Sequence, residues 1–225
     1  MSRPAGLVSV SHLAGAEIRY ARQPVADYGT RGRPRNNSML PGFRDQLEAA
    51  LEDLWARCPL GEASVIVSAG AWVDKSGEHG RGRAIDIDAI WWPTGKPLIT
   101  RDAQIDSGRY LGTSALLRLY FGTVIGWWCN AAHRDHWHLD DHDGVGFRPG
   151  SPSEVAFVQA SCLYVHGISP GPIDRLWGPR TRAAVDEVLG GDWQVGADLA
   201  EPLCWREFLR ETFRRGWACA EDPWG

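Results

Sequence analysis

No stretch of the 225-residue chain approaches the ~20 consecutive apolar residues that a membrane helix needs, so no membrane span is expected. Met1 to Gly15 also lacks the continuous apolar run of a signal peptide, because Ser9, Ser11 and His12 interrupt it. Synthesis in the cytoplasm without a cleaved leader is the expectation. Excess positive charge is missing too. The net charge is −4, and arginines such as Arg31, Arg33 and Arg35 are scattered, with no patch able to neutralise phosphates. Nucleic acid is not an expected partner. The five cysteines, Cys58, Cys129, Cys162, Cys204 and Cys219, form no C-x-x-C pair, and their odd number leaves at least one thiol free in the expected monomer.

What the chain does hold is 44% hydrophobic residues, enough for real cores, and twelve tryptophans. Trp91, Trp92, Trp127 and Trp128 could line a glycan groove, but an indole fills a core equally well and core packing is the default for most. Four of the seven histidines fall in two short polar stretches, 79–86 and 133–138. The first runs His79-Gly80-Arg81-Gly82-Arg83-Ala84-Ile85-Asp86, and the second His133-Arg134-Asp135-His136-Trp137-His138.

Zinc takes imidazole nitrogen and carboxylate oxygen readily, and a catalytic site pairs three protein ligands with one open position. His79, Asp86 and His138 supply that set for one Zn2+. Gly80 and Gly82 let the backbone turn tightly between the first two ligands. Alternation from Ala84 to Ile90 places Ile85 and Ile87 on one strand face and Ala84, Asp86 and Asp88 on the other. The same period puts His136, His138 and Asp140 together, with Trp137 and Leu139 behind. A lone His or Asp beside a glycine turn is ordinarily solvated; two such stretches with carboxylates at ligand reach point to metal. Cys129 is a conceivable soft ligand, but the set is complete without it.

H-x-x-G-x-A-x-D followed by D-x-W-H resembles the zinc D-alanyl-D-alanine peptidases, whose fold is shared with the Hedgehog signalling domain, and in particular the extensin-like C-terminal domains. The resemblance covers roughly residues 40 to 141. It implies that His79, Asp86 and His138 bind zinc and that Asp135, three residues before the last histidine, is the general base. Related peptidases ending in H-x-H use the first histidine catalytically, which is His136 here and agrees with strand parity. His133 is expected beside the ligands. The family tends to carry a substrate-carboxylate arginine after the strand before the first motif, but Ser68-Ala69-Gly70-Ala71-Trp72 has none; Arg81, Arg83 or Arg134 would substitute.

Residues 1–40 have little periodicity and read as an extended N-terminal arm. The zinc domain then occupies 41–143. Phe43, Leu47, Ala50, Leu51 and Leu54 predict a helix from Pro41 to about Cys58, Val65 to Ser68 a strand, and Leu111, Leu116, Leu117, Leu119 and Tyr120 a helix from about Tyr110 to Ile125. An antiparallel sheet with helices makes this α+β. A Gly/Pro-rich linker spans 144–150. Beyond it, 151–225 reads as a small three-helix domain: a capped helix from Ser151 to His166, one from Arg180 to Leu189 ended by Gly190-Gly191, and one from Pro202 to about Arg214. With D-x-x-W-G-P-R-T-R-A-A-V at its centre, this part resembles the peptidoglycan-binding domain, with Arg175 where a glycine is usual.

The combined reading is a peptidase acting on bacterial peptidoglycan next to a D-amino acid after release to the wall, as phage endolysins do. An effector delivered by a secretion machine, or an inert wall binder, are the alternatives.

Overall fold

A computed structural model describes residues 3–190, 198–219 and 223–224. The first 40 residues, expected to form an arm, instead contribute five short strands: β1 (Val8–Val10), β2 (His12–Leu13), β3 (Ala16–Tyr20), β4 (Arg33–Pro34) and β5 (Asn37–Met39). β1 and β5 pair antiparallel as a separate two-stranded ribbon, whereas β2, β3 and β4 join the main sheet. In β3 the alternation of Ala16, Ile18 and Tyr20 inward is real, but it spans only five residues.

Helix α1 (Pro41–Arg57) begins with proline in its first turn, where a missing N–H costs nothing, and buries Phe43, Leu47, Ala50, Leu51, Leu54 and Trp55. It ends at Cys58, as the apolar spacing predicts. β6 (Val65–Gly70) follows and lies parallel to β3, with Ile18 opposite Ile66. The sheet is therefore mixed where an antiparallel one was expected. A parallel neighbour needs a long crossover, which here is the segment containing α1.

The one-turn helix α2 (Glu78–Arg81) leads into β7 (Ala84–Trp91), the longest strand, and β8 (Leu98–Ile99) pairs beside it. Helix α3 (Ser107–Arg118) stops short of the expected end. Residues 123–125 form β9 (Thr123–Ile125), which pairs with β10 (Trp137–Asp140). Gly122 lies in the turn between α3 and β9, its Cα packed so tightly on the chain at Asp143 that an added Cβ would lie 2.2 Å from the Asp143 carbonyl oxygen. The main sheet runs β2-β3-β6-β7-β10-β9, so β7 and β10 are interior neighbours.

Strict alternation in β7 ends at Asp88. Ile87 lies opposite Ser68 while Ala89 lies opposite Val67, so Asp88 is the extra residue of a bulge, and Ile90 joins Ile85 and Ile87 in the main core. Helices α1 and α3 cover that face. Trp137 and Leu139 point into it and are fully buried.

The C-terminal helices are α4 (Pro152–Tyr164), α5 (Pro179–Leu189) and α6 (Pro202–Gly216), close to the expected bounds; Gly191 lies outside the described residues. They share one continuous apolar core with the sheet and α1. Phe147, inside the expected linker, is buried against Trp177 and Trp205 at centroid distances of 4.7 and 5.4 Å. The buried Arg118 of α3 donates through Nη2 to the carbonyls of Val124 and Ser153, joining β9 to α4. Helices α3 and α6 touch backbone to backbone: a Cβ on Gly216 would lie 2.4 Å from the Gly108 carbonyl oxygen and 2.9 Å from the Gly112 Cα. Gly216→Ala is therefore expected to push α6 off α3 and cost about 1–3 kcal/mol, the usual range for overpacking, read as a lower denaturant midpoint at unchanged slope.

Candidate metal centre

β7 and β10 are antiparallel with His138 directly opposite Asp86, so strand register alone brings two of the three expected ligands to adjacent positions on one face. The third arrives on α2. Gly80 lets α2 sit against the preceding loop, since a Cβ there would lie 1.8 Å from the Lys75 carbonyl oxygen, and Gly82 ends the turn at φ 74°, which glycine adopts freely. His79 is thereby placed on a helical turn and is only 4% exposed.

The ligand atoms form a nearly equilateral triangle. His79 Nε2 lies 3.1 Å from Asp86 Oδ1 and 3.1 Å from His138 Nδ1, and His138 Nδ1 lies 3.0 Å from Asp86 Oδ1. Each histidine has its other nitrogen committed. His79 Nδ1 is 2.6 Å from the Ala71 carbonyl oxygen, which can only accept, so Nδ1 carries the proton and the Nε2 lone pair faces inward. His138 Nε2 likewise donates to Asp140 Oδ2 at 2.9 Å, leaving Nδ1 to face inward. Two lone pairs and a carboxylate oxygen thus converge, and something positive has to sit between them. Ligands about 2.0–2.1 Å from a tetrahedral ion are about 3.3 Å apart, close to the spacing here. His79, Asp86 and His138 are a candidate metal-binding triad.

In the metal-free protein a proton serves instead. Burial opposes charge on His138, yet hydrogen bonds to Asp140 and Asp86 outweigh it and raise His138 to about 9. Burial likewise opposes charge on Asp86, but the bonds to His138 and His79 hold it well below the usual carboxylate range. A cation entering the triad displaces that proton.

His136, on the same face, has Nε2 3.6 Å from Asp86 Oδ1 and Nδ1 2.6 Å from Asp135 Oδ1. Asp135 is the most exposed of the group, its side chain 29% accessible, and its other oxygen accepts from the Tyr28 hydroxyl at 2.5 Å. Burial raises the Asp135 pKa, but the bonds from Tyr28 and His136 bring it below its ordinary value. His133 packs on His136 and His138, with ring centroids 5.0 and 5.8 Å away, and burial followed by repulsion from those two rings lowers it to about 4. Cys129 stands outside the triad.

The three expected substrate arginines are held differently. Arg81 pairs with Glu78, and Arg83 Nε donates to Asp141 at 2.8 Å. Arg134 is exposed, lies over the Trp127 ring at 5.7 Å and has no ion pair among the described residues. Of the tryptophans, Trp92 is core, wedged between Trp55 and Trp217. Trp91 lies under Arg31, and Trp128 packs on Tyr110 and Tyr164.

Sequence reasoning missed Arg22, Tyr28, Asp88 and Thr100. Arg22 donates through Nε and Nη2 to both oxygens of Asp88 at 2.8 and 2.7 Å, and Asp88 is fully buried. The Thr100 hydroxyl lies 2.7 Å from the Asp88 carbonyl oxygen and 2.6 Å from that of Asp135, tying the bulge to the second ligand stretch. The alternation of Asp86 and Asp88 was a signal for the second carboxylate. Nothing local announced the other three.

A family model described as "Extensin-like protein C-terminus" matches residues 67–148. The matched segment holds the triad, Asp135 and His136, but neither the N-terminal strands nor the C-terminal helices. No curated protein and no solved structure matches the chain. Among the described residues no helix is long and apolar enough to cross a membrane.

Proposed function

We propose that this protein is a zinc peptidase of peptidoglycan, cutting a stem peptide or cross-link next to a D-amino acid, with the D-alanyl-D-alanine peptidase type of fold around its triad. The observation that carries the reading is the convergence of three metal-seeking atoms at 3.0–3.1 Å beside a histidine whose far nitrogen is held by a carboxylate. Zinc, when bound, supplies the Lewis acidity that activates water near neutral pH and polarises the scissile carbonyl. His79 and His138 hold their tautomers through Ala71 and Asp140 and offer one lone pair each. His136 takes the proton of the attacking water at Nε2 and returns it to the leaving amine, while Asp135 keeps the proton on Nδ1 and steadies the ring as it becomes charged. Arg134, exposed next to Asp135 in the chain and without an ion pair among the described residues, is the contact for a substrate carboxylate.

The choice of peptidoglycan draws on the matched family and on the D-x-x-W-G-P-R-T-R-A-A-V segment, which supports wall binding by the C-terminal helices. An endolysin is the form this takes if the chain is made without a leader. The test is elemental analysis of the purified protein together with mass spectrometry of muropeptides after digestion of purified peptidoglycan. One zinc per chain and new peptide termini are expected. Wall binding without cleavage would mark an inert binder, and neither metal nor cleavage would end the proposal. Because α6 and α3 share a core, wall binding is measured on the full chain. Returning zinc to metal-stripped protein at about a thousandfold over its Kd should stabilise it by ~4 kcal/mol, a Tm rise of roughly 10 °C, visible in a thermal melt.

A further inference from the structure

Arg22 and Tyr28 lie between β3 and β4, far from both ligand stretches in sequence and outside the segment 67–148. Yet both reach the site. The Tyr28 hydroxyl donates to Asp135 Oδ2 at 2.5 Å, and Arg22 Nη2 lies 3.6 Å from the same oxygen. Arg22 is itself locked by two hydrogen bonds to the buried Asp88, two residues along β7 from Asp86. The Tyr28 ring is gripped by two guanidinium groups, Arg22 at 5.5 Å and Arg101 at 5.0 Å from its centroid.

This arrangement bears on what Asp135 can do. Its two oxygens are turned to Tyr28 on one side and to the His136 Nδ1–H on the other. Asp135 and His136 are sequence neighbours, and a hydrogen bond between neighbours leaves the carboxylate free to rotate; a second donor on the other oxygen fixes its plane. Groups that orient a reacting imidazole this way act through geometry and tautomer, not through proton transfer of their own.

We propose that Tyr28 is a positioning residue: its hydroxyl, braced by Arg22, fixes Asp135 so that Asp135 holds the Nδ1–H of His136 and presents Nε2 to the triad. The functional unit then extends beyond the matched segment into the N-terminal strands. This rests on the reading of His136 as proton carrier, and the test is built to separate the two.

Tyr28→Phe removes only the hydroxyl. It should lower kcat roughly tenfold, the low end for outer hydrogen-bond partners, with KM, zinc stoichiometry and melting temperature unchanged. In an Asp135→Asn background the same substitution should have no further effect, because its route to His136 is already cut. An independent readout is nitrogen-15 NMR of the His136 ring in metal-free protein at one fixed pH. The Nδ1–H tautomer should dominate in the wild type and lose population in Tyr28→Phe. Full kcat in Tyr28→Phe, an undiminished loss in the Asp135→Asn background, or an unchanged tautomer overturns the proposal. A wild-type protein that cuts no peptidoglycan but shows the tautomer shift removes the peptidase reading and supports the positioning role.

Discussion

Alanine at His79, Asp86 or His138 should abolish zinc binding and peptidoglycan hydrolysis together. Each of the three contributes one inward-facing atom to a triangle with sides of 3.0–3.1 Å, and removing one leaves two ligands, below the three that a stable catalytic zinc site uses. The fold should survive, because the apolar faces of β7 and β10, Ile85, Ile87, Trp137 and Leu139, lie on the opposite side of the sheet from these ligands. The expected result is therefore a protein with native far-UV circular dichroism, no zinc by elemental analysis, no turnover and no rise in Tm on adding zinc. A variant that keeps stoichiometric zinc and turns over normally would take that residue out of the triad.

The second large effect separates His136 from Asp135. His136→Ala should keep zinc and lose about a hundredfold or more in kcat, the usual size of a general-base contribution. Asp135→Ala should also keep zinc, with a smaller loss of roughly ten- to a hundredfold, since the imidazole remains but its tautomer and plane are no longer held. The order of the two losses is the decisive measurement. Full activity in His136→Ala beside a dead Asp135→Ala would make Asp135 the base, as its offset of three residues from His138 first suggested. Loss of zinc in His136→Ala would make His136 a ligand, as its Nε2, 3.6 Å from Asp86 Oδ1, would then require.

Much of this chain is legible in its sequence. Helices α1, α4, α5 and α6 stood out because each carries several turns of apolar spacing between recognisable starts, with proline in the first turn of all four. Two members of the candidate triad, Asp86 and His138, were legible because side chains on strands with a two-residue period share a face; His79 stood out only as a histidine beside a glycine turn. Failures came where local signals are short. β3 has only five residues, β2 and β4 two each, and no pattern of that length outweighs the Gly/Pro-rich composition around them. Residues 119–125 continued an apolar run that looked helical, but α3 ends at Arg118 and 123–125 pair with β10, a long-range partner that no local pattern shows. The expected linker at 144–150 hid Phe147, a single apolar side chain that no period could flag.

The sequence by itself determined the chemistry available: which atoms can bind a metal, that Asp86 and His138 sit on faces of their strands away from the core, and where the long helices α1, α4, α5 and α6 run. Those follow from residue type and from backbone periods that operate over a few residues. Only the tertiary structure decided that His138 stands opposite Asp86, that Asp88 is the extra residue of a bulge held by Arg22, and that Tyr28 reaches Asp135. Strand register and long-range hydrogen bonds depend on how the whole sheet closes its core, with contributions from residues far apart in the chain, and no local stretch encodes that sum.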